Sequence, residues 1–342
     1  MYFLQRSVFL CKVVIMLADI LLEIIKLKTK FKTHHGAVKA ADGIDLTVHK
    51  KEILGILGES GCGKSVTALS IMRLIPSPPG EIHADKMEFN GVELQSLTEK
   101  QMSKVRGNDI SMIFQEPLSA LNPAFTIGEQ LIEVLMLHQK LDRNAAYHRA
   151  IEALNLVQIP SATKRLADYP HQFSGGMRQR VMLAMACACA PSLLIADEPT
   201  TALDVTVQAQ ILELLRQLQS EMNMAIMLIT HDLGLVAEIA QRVVVMYAGV
   251  VVENATVLNL FVRPLHPYTQ GLLASLPLLE AERERLNVIP GGVPNMLNLP
   301  SGCRFHPRCP HCWQICRQQE PPLFPQNGSE VRCWLFARET NK

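Results

Sequence analysis

The stretch "GESGCGKS", residues 58–65, decides the fold. It fits the pattern G-x-x-x-x-G-K-S, in which glycines let the backbone wrap round phosphate groups and present its N–H groups to them. A helix that begins near the lysine adds its positive end, the lysine ammonium reaches the terminal phosphates, and the serine hydroxyl is placed to ligate Mg²⁺. The predicted phosphate-binding residues are Gly58, Glu59, Ser60, Gly61, Cys62, Gly63, Lys64 and Ser65.

The surrounding sequence alternates between apolar runs of strand length and helix-like segments. The predicted helices span 66–75, 205–222 and 233–241. The predicted strands are "EILGILG" (52–58), "ISMIFQ" (110–115), "LLIAD" (193–197), "AIMLIT" (225–230) and "RVVVMYAG" (242–249). This alternation predicts an α/β fold with a largely parallel sheet. Between about 116 and 190 a helical period replaces the strand pattern, so we expect a helical subdomain there.

Length and charge set the outer limits of the interpretation. The chain has 342 residues, 48% of them hydrophobic, and a formal net charge of +1. One full domain with a smaller appendage is expected, and there is no charge excess to attract nucleic acid. Lys12, Asp19 and Glu23 interrupt the apolar start of the chain, so we expect no membrane span. Translation from Met16 is the simpler interpretation, which makes residues 1–15 an N-terminal extension.

An acidic element follows a predicted buried strand in "LLIADEP", residues 193–199. The strand delivers Asp197 to the edge of the sheet where phosphate is expected, and Glu198 follows at once. Asp197 is placed to hold Mg²⁺, and Glu198 to polarise a water molecule for attack on a γ-phosphate. Acidic residues at a strand end are commonly just solvated, but beside the loop at 58–65 this pair predicts nucleotide hydrolysis.

The segment "FSGGMRQR", residues 173–180, predicts a second anion site. Ser174, Gly175 and Gly176 open a helix N-terminus that suits an anion, although the first loop already holds one set of phosphates. A second anion site indicates that it serves the nucleotide bound to another chain. In that arrangement two chains meet head to tail, and each covers the phosphate loop of the other. The alternative is an ordinary helix cap before a core helix.

His231 comes directly after the predicted strand at 225–230. It therefore emerges at the carboxyl edge of the sheet, where the ligands of open α/β folds gather. Taken alone, a single histidine is more often structural than functional, so its interpretation depends on the motifs around it.

These motifs occur in the order and spacing of the ATPase subunits of ABC transporters, which the chain resembles over about residues 16–255. "GESGCGKS" resembles the Walker A motif, "MIFQEPLSALNP" the Q-loop, "FSGGMRQR" the signature, "LLIADEPTTALD" the Walker B motif with the D-loop, and "LITHD" the H-loop. The resemblance implies a P-loop NTPase of the ABC ATPase type, with a helical subdomain, that uses ATP and Mg²⁺.

The resemblance implies catalytic roles for residues at or just after the ends of the predicted strands. Gln115 is expected to sense Mg²⁺ and the attacking water, Glu198 to be the catalytic carboxylate, and His231 to contact the γ-phosphate. The Mg²⁺ ligands implied in this way are Ser65, Gln115 and Asp197.

Two further roles rest on the resemblance alone. Asp204 is expected to serve the interface between two nucleotide-binding domains, and Phe31 to stack on adenine. The signature departs from the commoner LSGGQ sequence at its outer positions, Phe173 and Met177. It keeps the serine and the two glycines that face the phosphate.

Cysteines crowd the C-terminal region. Of nine cysteines, those that lie there are Cys303, Cys309, Cys312, Cys316 and Cys333. Such clustering, in a chain without an evident export signal, favours metal ligation over disulfides. Residues from about 290 onward are rich in turn formers, so we expect this region to need a staple that the cysteines could supply.

Residues 261–342 carry a second resemblance. "HPYTQGLLASLP" and "GCRFHPRCPHCWQICRQQEPPL" resemble the small, Cys-rich C-terminal extension of dipeptide and oligopeptide permease ATPases, a group with nickel-import relatives. The positions that match the ligands of a [4Fe-4S] cluster in some members are Cys303, Cys309, Cys316 and Cys333. Four thiolates also suit structural zinc, and the tight pair in "CPHC" gives a rival set in which Cys312 replaces Cys303. The cluster is the favoured interpretation, and zinc or thiols without a metal are the alternatives.

The function that follows from both resemblances is ATP hydrolysis that powers peptide import across the cell membrane. Residues 16–260 are expected to form the nucleotide-binding domain and residues 261–342 the extension. The expected partners are a second ATPase subunit, either a paralogue or a second copy, two membrane-spanning permease subunits and an extracytoplasmic peptide-binding protein, with no nucleic acid. The expected location is the cytoplasmic face of the inner membrane.

Three other functions remain open at this point. The chain could serve import of nickel or another small solute, it could be an ABC ATPase that acts on nucleic acid or ribosomes, or it could be a small-molecule kinase. The absence of sustained heptads between Ser65 and Ser174 and the single nucleotide module disfavour the second. The adjacent pair of Asp197 and Glu198, together with "FSGGM", disfavours the kinase.

Overall fold

The protein is described by a computed structural model for residues 20–115, 120–201, 203–276 and 288–337. The strands of the central sheet are β3 (Ile53–Leu57), β7 (Ile110–Ile113), β8 (Leu193–Asp197), β9 (Ala225–Thr230), β10 (Arg242–Tyr247), β11 (Val250–Thr256), β12 (Phe324–Gln326) and β13 (Ser329–Val331). Their order is β12-β13-β11-β10-β3-β9-β8-β7, and the five from β10 to β7 run parallel. The predicted α/β core with a largely parallel sheet is therefore confirmed, while residues 1–15 and Met16 lie outside the described ranges.

The central strands are apolar along most of their length because both faces of the sheet are covered. Every residue of β3, β8 and β9 is buried, as expected for parallel strands whose two faces are both covered. The strands predicted at 193–197 and 225–230 have the observed bounds. The three predicted at 52–58, 110–115 and 242–249 are shorter than predicted, because their terminal residues belong to loops.

A second, antiparallel sheet lies beside the first and was not predicted. Its strands are β1 (Ile20–Thr33), β2 (Gly36–His49), β4 (Gly80–His83), β5 (Lys86–Phe89) and β6 (Val92–Glu93). The long β1 pairs with β2, β4 and β5, so the apolar run near the start of the chain is a strand from Ile20 onward. In the part of the chain that the structure covers, no helix is long and apolar enough to cross a bilayer.

Helices flank the central sheet. The helices of four or more residues are α1 (Lys64–Ile71), α2 (Glu99–Val105), α3 (Ile127–Gln139), α4 (Arg143–Leu156), α5 (Ala162–Arg165), α6 (Gly175–Cys187), α7 (Val205–Met222), α8 (Leu233–Ile239), α9 (Val257–Val262), α10 (Pro267–Ala274) and α11 (Gln314–Gln318). Helices α3 to α6 lie where a helical period was predicted. The helix predicted at 205–222 has the observed bounds, whereas the other two end earlier than predicted, at Ile71 and Ile239.

The C-terminal residues extend the central sheet. Strand β13 pairs with β11, and Arg304 joins the extension to the antiparallel sheet. Its guanidinium donates to the Asp42 carboxylate at 2.7 Å and to the Ala248 carbonyl at 2.6 Å. Burial alone would raise the pKa of Asp42, but the hydrogen bond and the charge from Arg304 hold that pKa below its ordinary value.

We predict that Asp42→Asn lowers the free energy of unfolding by about 1–3 kcal/mol at pH 7, because Arg304 loses the nearer of its two charged partners, Asp42 and Glu320. Folding lowers the pKa of Asp42, so its contribution is complete above the ordinary value of 3.8 and is lost as the pH falls through the lower folded value. Urea unfolding of both proteins between pH 7 and pH 3 measures this. The exposed pair of Lys26 and Asp85 supplies a control, since Asp85→Asn should change the free energy of unfolding less than Asp42→Asn does.

Candidate functional site

The loop at 58–65 connects β3 to α1 and is closed on both sides by backbone. Gly58 and Gly63 have φ angles of 156° and 104°, which favour glycine. A β-carbon at Gly58 would collide with the Met246 carbonyl oxygen, and one at Gly63 with the Ala40 carbonyl oxygen. Glycine is therefore needed at both positions, and the loop amides and the start of α1 lie together as phosphate binding requires.

The Lys64 ammonium lies over its own loop. It donates to the carbonyl oxygens of Gly58 at 2.7 Å and Glu59 at 3.1 Å, and its side chain is largely buried. The neighbouring Cys62 thiol is 1% exposed and packs in the apolar core, where burial raises its pKa. Cys62 can therefore offer a bound phosphate its backbone but not its side chain.

Asp197 is the last residue of β8. Its carboxylate is 3% exposed, and Oδ1 is buried without a hydrogen bond among the described residues. Burial raises the pKa of Asp197, and a hydrogen bond from Ser65 opposes that increase. An orphaned carboxylate oxygen beside a serine hydroxyl is a donor set of the kind that Mg²⁺ accepts, so these residues fit the predicted Mg²⁺ site.

Three predicted residues meet around one carboxylate. Glu198 accepts hydrogen bonds from Gln115 Nε2 at 3.0 Å and from Thr201 Oγ1 at 2.9 Å, and its Oε1 lies 3.1 Å from His231 Nδ1. Burial favours the protonated form, but Thr201 and His231 outweigh it, so the pKa of Glu198 is lowered. The carboxylate is therefore ionised at neutral pH and can accept a proton from water.

Sheet topology explains why these residues meet. Gln115, Glu198 and His231 follow β7, β8 and β9, which are neighbours in the sheet and run in the same direction. The carboxyl ends of parallel strands share one edge, where ligands bind in folds of this kind. Thr201 was given no role from the sequence, although its position three residues after Glu198 in "EPTT" offered a signal.

The predicted trans-acting residues serve as helix caps within this chain. Ser174 caps α6 by accepting from the Met177 N–H at 3.4 Å, and Asp204 caps α7 by accepting from the Val207 N–H at 2.9 Å. Both caps are typical of helix N-termini. A β-carbon at Gly176 would press on Val207, so this glycine allows α6 and α7 to approach. These contacts lie within one chain, so the predicted contacts of Ser174 and Asp204 with a second subunit stay a prediction.

Phe31 lies on β1, the strand that pairs with β2, and its register partner is Val38. Two residues further along β2, the Ala40 carbonyl faces Gly63 of the phosphate loop. Phe31 is half-buried and approaches Gly80. This places Phe31 on the strand pair that borders the phosphate loop, and its stacking on adenine stays a prediction.

Two residues of the C-terminal extension contact the loop and were missed from the sequence. The Tyr268 hydroxyl accepts from the Glu59 N–H at 2.9 Å, and Arg308 pairs with the Glu59 carboxylate at 2.7 Å. Both contacts join residues more than two hundred positions apart in the chain. No local pattern in the sequence signals a contact between such distant residues.

The cysteines proposed as cluster ligands line one small cavity, next to His266 and Phe305. These thiols belong to Cys303, Cys309, Cys316 and Cys333. Burial raises the pKa of Cys303 to about 11 and that of Cys333 to about 12, so both are thiols at neutral pH. Within the described ranges, no group of three or more such side chains is arranged to hold a metal ion. The cysteine side chains are suitable ligands for a cluster or zinc, but their positions in this structure are not those of a formed metal site.

Two family models match the chain. The ABC transporter model matches residues 41–201, and the model of the oligopeptide/dipeptide transporter C-terminal region matches residues 252–316. The first match contains the phosphate loop, the signature and the two acidic residues. The second contains the turn that carries Tyr268 and most of the clustered cysteines.

Curated relatives match nearly end to end. Oligopeptide transport ATP-binding protein AppD of Bacillus subtilis is 52% identical over 93% of this chain and 98% of its own length. Oligopeptide transport ATP-binding protein OppD of the same organism is 51% identical over 94% of this chain and 90% of its own length. Dipeptide transport ATP-binding protein DppD of Escherichia coli is 50% identical over 92% of this chain and 96% of its own length.

Solved structures match the nucleotide-binding part. The dimeric bacterial ABC transporter cassette MJ0796 has a TM-score of 0.60 and 26% identity, covering 69% of this chain and 98% of its own. The structure of cbiO1 from Clostridium perfringens, part of an ABC transporter complex, has a TM-score of 0.61 and 25% identity. The match covers 72% of this chain and 92% of cbiO1. The chain therefore belongs to the ATP-binding subunits of ABC transporters, in the group that carries the oligopeptide/dipeptide transporter C-terminal region.

Proposed function

We propose that this chain hydrolyses ATP to power the import of peptides by an ABC transporter. The observation that carries the hydrolytic part is the Glu198 carboxylate, ionised and contacted by Gln115, Thr201 and His231 at the edge of the sheet where the phosphate loop lies. The peptide substrate is inferred from relatives whose names state oligopeptide or dipeptide transport and which match this chain over nine-tenths of its length.

ATP binding in this proposal begins with the loop at 58–65. Its amides and the N-terminus of α1 hold the β-phosphate, and the Lys64 ammonium leaves the two loop carbonyls for the terminal phosphates. Ser65 and Asp197 hold Mg²⁺, which neutralises charge on the phosphates when bound. Gln115 is close enough to Glu198 to respond to that ion and to the attacking water.

Hydrolysis requires a water molecule held in line with the γ-phosphate. Glu198 accepts a proton from this water, since its lowered pKa keeps it ionised. His231 is 64% exposed and approaches Glu198 through Nδ1, which leaves Nε2 free to meet a phosphate oxygen. Thr201 donates to the second Glu198 oxygen and fixes the orientation of the carboxylate.

The complete site is proposed to form between two ATPase subunits. Ser174, Gly175 and Gly176 of one subunit would cap the phosphate loop of the other, and Asp204 would lie at the same interface. Support comes from the exposed position of Ser174 at the start of α6 and from the dimeric state of the matched cassette MJ0796. ATP then holds the pair together, and product release separates it.

The remaining partners follow from the peptide-import function. Peptide passage belongs to two membrane-spanning permease subunits, with peptide delivered by an extracytoplasmic binding protein. This chain is proposed to sit against the permease subunits at the cytoplasmic face of the inner membrane. Residues 16–260 form the nucleotide-binding domain in this proposal, and residues 261–342 form the extension.

We also propose that the extension binds a [4Fe-4S] cluster through Cys303, Cys309, Cys316 and Cys333. The support is that these thiols line one cavity, whereas Cys312 lies outside its lining and contacts the Trp313 carbonyl at 3.7 Å. Binding requires the thiols to lose their protons and to draw together. The rival zinc set, which contains Cys312, has less support from this arrangement.

Replacing Glu198 tests the hydrolytic role. Glu198→Gln is expected to bind ATP normally and to lower turnover by about a hundredfold or more, because the amide cannot accept the proton from water. ATP-dependent dimers should accumulate, which size-exclusion chromatography with and without ATP detects. Phosphate release measures turnover, and Glu213→Gln, on the exposed side of α7, serves as the control. Near-normal hydrolysis by Glu198→Gln would remove Glu198 from its assigned role.

Anaerobic purification tests the cluster. The native protein should contain about four iron atoms per chain and absorb in the visible range, as cluster proteins do. Cys303→Ser is expected to lose iron, whereas Cys312→Ser should retain it because Cys312 lies outside the cavity. One zinc per chain without iron, or iron lost equally from both variants, would contradict the proposed ligand set.

A further inference from the structure

The turn at residues 265–268 is held rigidly against the sheet. The Glu253 carboxylate is fully buried and accepts from the N–H groups of Leu265 and His266, both at 2.9 Å. His266 Nδ1 then accepts from the Tyr268 N–H at 3.0 Å, and burial lowers the pKa of His266 to about 3, so the ring stays neutral. Pro267 begins α10 with the φ angle that a first helical residue needs. These contacts fix the position of the tyrosine.

The tyrosine reaches the phosphate loop from this turn. Tyr268 is fully buried, with its ring 4.7 Å from that of Tyr247 and 5.5 Å from that of Phe305. Its hydroxyl accepts from the Glu59 N–H at 2.9 Å. The aromatic packing fixes the orientation of the ring, so the Tyr268 hydroxyl points in one direction and holds the loop at the Glu59 backbone nitrogen.

Arg308 holds the same loop residue by its side chain. Two guanidinium nitrogens donate to the two Glu59 carboxylate oxygens at 2.7 Å and 3.1 Å. Arg308 is 5% exposed and Glu59 is 30% exposed, and Arg308 Nε donates to the Pro290 carbonyl at 3.0 Å. A paired, two-point contact of this kind fixes geometry better than a single charge contact.

Glu59 is therefore fixed at three groups. Its N–H meets Tyr268, its carboxylate meets Arg308, and its carbonyl accepts from the Lys64 ammonium at 3.1 Å. The lysine contact is the one that must break when the ammonium moves to a phosphate. The two contacts from the extension do not involve Lys64, so they can keep the loop backbone in place during that movement.

We propose that Tyr268 and Arg308 are positioning residues for the phosphate loop, which they hold through Glu59 in the shape that binds ATP. This Glu59 clamp, formed by Tyr268 and Arg308, gives the C-terminal extension a direct part in nucleotide affinity. The inference rests on the proposed nucleotide-binding function. The clamp acts on binding, because a loop that is already ordered loses less conformational freedom when the phosphates arrive.

The test is MgADP and MgAMP-PNP binding to the full-length chain, measured by isothermal titration calorimetry. Tyr268→Phe, which keeps the ring, should raise Kd by about threefold, and Arg308→Gln by about five- to tenfold, as expected for loss of a neutral and a charged hydrogen bond. In steady-state assays of the assembled transporter, KM for ATP should rise while kcat at saturating ATP stays unchanged.

Arg332 provides a matched control. Like Arg308, it lies in the extension, is largely buried and precedes a cysteine of the cavity by one residue. Its guanidinium donates to the carbonyls of Val251 at 2.8 Å and Pro321 at 3.3 Å, away from Glu59. Arg332→Gln should leave nucleotide Kd at the native value. If Arg332→Gln weakens binding as much as Arg308→Gln does, the effect is a general loss of stability and the clamp is wrong.

A double-mutant cycle isolates the Glu59 contact. In the Glu59→Gln background, Arg308→Gln should have little further effect on Kd, because its partner is already lost. An unchanged effect of Arg308→Gln in that background would overturn the proposal, as would native affinity in both Tyr268→Phe and Arg308→Gln. Should Arg308→Gln not fold, Tyr268→Phe still decides the outcome.

The native chain and Lys64→Ala separate this inference from the proposed function. If the native chain binds no nucleotide, or binds it as well after Lys64→Ala, the proposed function itself fails. If the native chain binds and Lys64→Ala does not, while the clamp variants bind normally, only the clamp fails.

Discussion

The phosphate loop is confined between two backbone carbonyls that belong to different sheets. The Met246 carbonyl lies against Gly58 and comes from the central sheet, while the Ala40 carbonyl lies against Gly63 and comes from the antiparallel sheet. Side chains at either glycine would push the sheets apart or distort the loop. The shape that cradles a phosphate is therefore a consequence of how the two sheets meet, and the loop cannot be understood as an independent turn.

The same constraint orders the chemistry next to the loop. Strand β3, which leads into the loop, is followed across the sheet by β9, β8 and β7. Moving away from the loop along the carboxyl edge, one therefore meets His231, then Glu198, then Gln115. Glu198 has a φ angle of 48°, in the left-handed region, and its N–H donates to the Ile229 carbonyl. This backbone turns the carboxylate toward its three partners. A residue held in an uncommon conformation at a functional edge fits a catalytic role.

Local sequence signals are sufficient to predict the loop and the residues that follow buried strands. Continuous apolar runs identify the central strands, and the residue after a parallel strand has to lie at the carboxyl edge, which is enough to bring Glu198 and His231 to one place. Gln115 stands at the end of a predicted strand, and its role is implied by the family resemblance alone. The antiparallel sheet was missed because the apolar beginning of β1 merges with the apolar start of the chain. Tyr268 and Arg308 could not be found, since contacts across more than two hundred residues depend on sheet order and leave no local pattern.

The extension is joined to the nucleotide-binding core by more than an apolar interface. Its strand β13 continues the central sheet beyond β11, Arg304 reaches the antiparallel sheet at Asp42, and Arg308 reaches the loop between them. Arg308 is followed directly by Cys309, which lines the cysteine cavity. A shift of Cys309 therefore acts on Glu59 through the neighbouring Arg308, because the two-point contact between the buried guanidinium and the part-buried carboxylate fixes their relative position. The cysteine cavity and the phosphate loop are thus linked by the contact of Arg308 with Glu59, although their residues lie far apart in the chain.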